Sequence, residues 1–123
     1  MTEQMDTLYF EGRNIKPYGE FASASGLVEG ETYFAVHYVD DRMLIPEVTP
    51  LVFIGRDLDP ADSGRLYFQD AGSYVAGARF GSAAGAKDAE FHTVAHETPF
   101  VFEFERALDV LLGCSLKRRR GLA

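Results

Sequence analysis

FASASGLVEGETYFAVH spans Phe21 to His37, and FGSAAGAKDAEFHTVAH spans Phe80 to His96. Laid together without a gap, the two stretches share Phe, Ser, Ala, Gly, Glu and His at matching places, and Glu29 stands opposite Asp88. The echo continues on both sides. Upstream, Leu8-Tyr9-Phe10-Glu11 matches Leu66-Tyr67-Phe68-Gln69, and downstream TPLVF at Thr49–Phe53 matches TPFVF at Thr98–Phe102. All three words keep their order, with about ten extra residues in the first copy, centred on VDDRMLIPEV. The reading is a two-fold internal repeat with halves at residues 7–58 and 65–110. Two copies are too few for a solenoid, so one pseudo-symmetric domain over residues 1–123 is expected.

Each half reads as strands. Tyr33, Phe34, Val36, Tyr38 and Val39 form a β-branched and aromatic run bounded by Gly30 and Asp40-Asp41. A period of two puts Phe34, Val36 and Tyr38 on one face and Tyr33, Ala35 and His37 on the other. Leu51-Val52-Phe53-Ile54 is apolar throughout, as in a strand buried on both faces. Alternation recurs over Arg65–Gln69, Tyr74–Phe80, Phe91–Ala95 and Phe100–Glu105. The fold class expected is mainly β, with about eight strands in a small barrel or sandwich and one C-terminal α-helix.

That helix is predicted over about residues 105–120. After TPFVFEFERALD comes VLLGCSLKRRR with no proline, whereas the first copy meets Pro60 at the equivalent place. Phe104, Leu108, Leu111, Leu112 and Ser115 fall near one helical face, and the helix, of about four turns, is expected to lie on the sheet or across a barrel mouth. Glu105 at the start and basic residues at the end suit the helix macrodipole, and Gly121 is a natural stop.

Charge narrows the partners. The chain holds 12 basic and 19 acidic residues, and four of the basic ones are Lys117, Arg118, Arg119 and Arg120. Up to Leu116 the balance is 8 against 19, or −11. So acidic a body repels phosphate backbones and anionic lipid, which argues against nucleic-acid and membrane-surface binding. No apolar run approaches the ~20 residues of a membrane-spanning helix. MTEQMDTLYF lacks the features of a secretory signal, and Cys114 is the single cysteine, so a reducing cytoplasmic setting is expected.

The candidate sites are sparse. His37 and His96 occupy equivalent places in the two copies, with His92 nearby and Tyr33 on the same predicted face as His37. These four are the candidate ligand-binding residues, converging on the pseudo-axis. HTVAH has the i, i+4 spacing that chelates zinc on a helix, but on a strand that spacing separates the rings by roughly 13 Å, so no metal is expected. Asp57, Asp59 and Asp62 lack the twelfth-position glutamate of a calcium-binding EF-hand loop and read as a turn. Glu29, Glu31, Asp88 and Glu90 read as solvated edge charges. No nucleophile elbow, phosphate-binding loop or dinucleotide fingerprint is present, and no cofactor is expected.

Six tyrosines and ten phenylalanines remain, with Tyr33, Tyr67 and Tyr9 expected on the less buried face. The leading expectation is a non-enzymatic protein-binding module that forms a homodimer. Met43, Leu44 and Ile45, apolar residues of the inserted segment, are the candidate contact. The alternatives are an acidic inhibitor or immunity-type protein that masks a basic partner, and a small enzyme or ligand-binding barrel with its pocket near His37 and His96.

Overall fold

The computed structural model describes residues 20–61, 63–81, 89–96 and 100–121, with Thr7, Gly12, Asn14 and Ile15. The architecture is mainly β: an antiparallel five-stranded sheet and a C-terminal helix. A short 3-10 turn at Ala24–Gly26 precedes β1 (Thr32–Tyr38) and β2 (Pro46–Arg56). Then come β3 (Arg65–Asp70), the short helix α1 (Ala71–Val75), β4 (Phe91–Ala95), β5 (Val101–Phe102) and the long helix α2 (Phe104–Arg119). The sheet order is β4-β3-β2-β1-β5.

Acidic side chains close the turns. At the β1–β2 connection the Asp40 carboxylate accepts from the backbone N–H groups of Leu44 and Ile45 at 2.9–3.1 Å. At the β2–β3 connection Asp57, at φ 53°, accepts from Gly64 N–H (2.6 Å) and Arg65 N–H (3.0 Å). The aspartates of GRDLDPADSG thus belong to a hairpin turn, with Asp62 outside the described residues. Pro46 and Pro50 are tolerated in β2 because they precede Leu51, where pairing with β3 begins, so β2 has only one sheet neighbour there.

The inner face follows the two-residue period. Tyr33 and Ala35 of β1, Leu51 and Phe53 of β2, Leu66 and Phe68 of β3, Val94 of β4 and Val101 of β5 meet in one core with Ala22, Leu27 and Phe100. Phe68 is its centre, with ring centroids 5.4 Å from Phe53 and 5.2 Å from Phe100. The register also requires the sheet to curl. Val101 lies opposite Ala35, itself opposite Thr49, whereas Ala95 lies opposite Arg65 near the far end of β2. In a flat sheet those two points would be about 30 Å apart, more than the ~21 Å that six residues can span.

Several expectations change. The described residues form five strands. Tyr74–Phe80, read as a strand, is instead α1 and the turn that follows. Asp70 caps α1 by accepting from Ser73 N–H at 2.8 Å and ties it to β4 by accepting from Glu90 N–H at 2.8 Å. Phe104 does not extend β5 but opens α2. The two halves also differ in pairing. β1 and β2 form a hairpin in the first half, while β4 and β5, their counterparts by sequence, stand at opposite edges. Phe53 sits in central β2 and Phe102 in edge strand β5. Phe21 stacks on Phe102, but Phe80 packs edge-on against Tyr67 and Phe91. The word around Tyr9 lies outside the described residues. No helix among the described residues is long and apolar enough to cross a membrane.

The closing aspartates make stability depend on acid pH. In Asp57 the backbone N–H of Arg65 is the leading cause of a pKa held below its ordinary 3.8, and in Asp70 it is the Ser73 hydroxyl. For Asp40, partial burial pushes the carboxyl up, but the Ile45 and Leu44 N–H groups outweigh it and the net shift is downward. A depressed folded-state pKa means that the unfolded chain takes up protons first as pH falls. The stabilisation is therefore present above the unfolded value of 3.8 and is lost as pH drops through the folded values. Thermal melts should show a falling midpoint below about pH 4, and Asp57→Asn should make that fall shallower. An unchanged acid slope in Asp57→Asn would remove this carboxylate from the account.

Candidate functional site

The outer face of the sheet carries the most unusual surface of the molecule. Phe34 and Tyr38 project from β1 toward α2, where the Phe34 ring meets Phe104 edge-on at 4.5 Å. Burial beside Cys114, with a hydrogen bond between the two side chains, pushes the Tyr38 phenol above its ordinary value. With large aromatics on the strand, the helix fits by its small residues. Ala107 and Cys114, seven positions apart, are buried, with Val110 partly buried between them. Asp109 is also buried and its carboxylate accepts from Arg106 at 2.9 Å. Cys114 Sγ lies 3.7 Å from the Met43 carbonyl, which sets the tip of the β1–β2 hairpin beside the C-terminal half of α2.

The helix lies on the sheet, but the stripe of Phe104, Leu108, Leu111 and Leu112 looks outward. Phe104 is 67% exposed, and Leu108, Leu111 and Leu112 are 40%, 38% and 37% exposed. Between this face and the hairpin runs an apolar groove of about 260 Å³, lined by Phe34, Val48, Phe104, Ala107, Leu108 and Leu111. At the hairpin tip Met43 and Ile45 are each 51% exposed, and Val39 is exposed as well. Leu44 is partly buried, its N–H held by Asp40. The signal for the helix face was present in the sequence as a second stripe, Ala107, Val110 and Cys114 at i, i+3 and i+7. A stripe of small residues is the face that can approach a strand bearing Phe34 and Tyr38.

The ligand candidates are placed apart. Tyr33 is a core residue whose hydroxyl accepts from Val28 N–H at 2.9 Å. Tyr67 is likewise buried, its hydroxyl accepting from Asp59 N–H at 3.2 Å, so the expected exposed tyrosine face is not found at either position. His37 is exposed at the hairpin end of β1, opposite Glu47. His96 follows β4 at the other end of β2, donating its N–H to Gly64 O, with Nε2 3.9 Å from Asp57 Oδ1. Glu47 near the start of β2 and Asp57 just past its end are ten residues apart, on the order of 30 Å of extended chain, so the two imidazoles flank opposite ends of the sheet. His92 is half exposed, with Nε2 3.9 Å from Glu90. No group of three or more His, Cys, Asp or Glu suited to a metal ion occurs among the described residues.

Electrostatically the helix is polarised. Glu103 and Glu105 stand at its N-terminus, and Lys117, Arg118, Arg119 and Arg120 are exposed at its C-terminus, in the sense that favours the helix dipole. Compared with known protein families, curated proteins and solved structures, the chain shows no significant match to any of them.

Proposed function

We propose that this chain is a protein-binding module whose outer α2 face pairs with a second copy of itself. The observation that carries the reading is the inverted seating of α2, which buries Ala107 and Cys114 and turns Phe104, Leu108, Leu111 and Leu112 to the surface. Such a strip beside an apolar groove is a feature of interaction surfaces rather than of ordinary monomer exteriors. The partner chosen is a second copy because the helix is electrostatically self-complementary. In a two-fold antiparallel arrangement the acidic start of one α2 faces the basic end of the other, as an isologous interface requires. The hairpin residues Met43, Leu44 and Ile45 lie at the same end as Cys114 and extend the contact. Cys114 as a buried lone thiol suits a reducing cytoplasmic compartment.

Sedimentation at micromolar concentration should return a dimer mass, weakened by salt because charged ends contribute. Leu111→Asp should give a monomer with an unchanged fold, since the side chain it replaces is already at the surface. Reversing the basic end (Lys117→Glu with Arg118→Glu) should weaken the dimer, and adding Glu103→Lys and Glu105→Lys should restore it. A parent chain that sediments as a monomer at ~100 µM would end the proposal, because an interface of ordinary size associates well below that concentration.

A further inference from the structure

A cleft of about 600 Å³ opens between α1 and the β2–β3 pair, on a part of the outer face that α2 does not reach. Its walls include Glu29, Ile54, Gln69, Tyr74, Arg79 and Phe80. The volume is within the range of small-molecule sites. Three features indicate that it is built to hold something.

Gln69 lies on the cleft wall and is fully buried. Its amide nitrogen donates to Ser73 Oγ and to the Ala78 carbonyl, both at 2.9 Å. A carbonyl can only accept, so the Ala78 bond fixes which end of the amide is nitrogen. Oε1 is then an acceptor with no hydrogen-bond partner among the described residues. Buried polar atoms are nearly always satisfied, and one that is not needs an explanation.

The second feature is Arg79. Its guanidinium lies over the Tyr74 ring, 3.9 Å from the centroid, while Nη1 donates to the Tyr74 and Ala78 carbonyls at 2.8 and 2.7 Å. Those bonds hold the plane still and, among the described residues, use one of its three nitrogens. The third is the β-bulge between Phe53 and Gly55, which displaces Ile54 from the ladder and sets it on the cleft wall. Bulges next to sites re-aim side chains in this way.

We infer that the cleft binds a small zwitterion of the free amino-acid class. The Arg79 fork takes the carboxylate, as guanidinium groups do in bidentate fashion. The ammonium, which has three donors and no acceptor, is held by the Glu29 carboxylate and Gln69 Oε1. Ile54 and Phe80 receive an apolar side chain.

The test is a titration of the full chain followed by amide NMR, using L-phenylalanine and L-leucine as probes, with phenethylamine and 3-phenylpropionate carrying only one of the two charges. Saturable shifts at Gly30, Gly81 and the Gln69 side-chain amide are expected with at least one amino acid. Each single-charge analogue should bind at least about tenfold more weakly. Arg79→Gln and Glu29→Gln, both changes of exposed side chains, should each lower amino-acid affinity about tenfold. Absence of saturable shifts with both amino acids at ~10 mM would overturn the inference, a Kd above that range being too weak to count as a site. So would equal affinity for the analogues, or parental affinity in both variants. The α2 dimer is read by mass and involves a different surface, so either result leaves the other standing.

Discussion

Phe68→Ala should remove a large part of the stability of this protein. The side chain is fully buried and its ring lies between those of Phe53 and Phe100, each within 5.4 Å between centroids. It also belongs to β3, which pairs with β2 on one side and β4 on the other, so the strand cannot move to fill the space. Truncating a buried Phe costs about 3–5 kcal/mol, from lost transfer energy and the cavity left behind. Against a total of about 5–15 kcal/mol for a natural domain, that is about a fifth of the margin or more. Denaturant unfolding should show a lower midpoint at an unchanged slope, and the thermal midpoint should fall by about 10–20 °C. Phe104→Ala is the informative contrast, since Phe104 is 67% exposed. It should cost the isolated chain about 1 kcal/mol or less and act on dimerisation instead. Under the proposed dimer, stability should depend on protein concentration in the parent and not in the variant. A Phe68→Ala loss below 1 kcal/mol would mean that the inner face is not the principal core.

Gly55→Ala should also be damaging, by a different mechanism. Gly55 stands at the β2 bulge with φ +144°, a backbone conformation that residues with a Cβ rarely adopt. An added Cβ would also lie 2.9 Å from Leu58 Cδ2 and 3.4 Å from Glu29 Oε1. Holding a non-glycine residue in such a region costs about 1–3 kcal/mol. The two contributions separate cleanly. Leu58 is a flexible side chain, so the Gly55→Ala/Leu58→Ala double variant relieves the contact but leaves the backbone strain. Most of the destabilisation should therefore persist in the double variant, as chemical denaturation would measure. A neutral Gly55→Ala, or full recovery in the double variant, would show that this backbone relaxes at no cost.

The bulge also explains why the cleft was not visible in the sequence. The apolar run Leu51–Ile54 reads as a strand buried on both faces, and Leu51, Val52 and Phe53 are indeed buried. Nothing in LVFIG marks Ile54 as the residue that leaves the ladder, because that depends on the register β3 adopts against β2. Gln69 was equally silent. An amide in an alternating run reads as a solvent-facing position, and only the segment Ser73–Ala78 folding over it makes it a buried, half-satisfied group.

What the sequence determined by itself was the local periodicity. The two-residue alternation over Thr32–Tyr38, Arg65–Asp70 and Phe91–Ala95 defines strands whose inner residues form the core, and the proline-free VLLGCSLKRRR continues a helix. These follow from side-chain direction along a single segment, which needs no knowledge of the rest of the chain. The tertiary structure decided which faces meet. It buried Tyr33 and Tyr67 by giving their hydroxyls the N–H groups of Val28 and Asp59, and it turned Tyr74 into a helical residue through the Asp70 cap. It separated β4 from β5 although their words echo a hairpin, and it chose the small-residue face of α2 over the leucine face. The last two of those outcomes depend on contacts between residues far apart in the chain, where the shape of Phe34 and Tyr38 outweighs the hydrophobicity of Leu108 and Leu111. A repeated word carries the same local preference into both halves, but the pairing partner is set by the sheet that the whole chain can close.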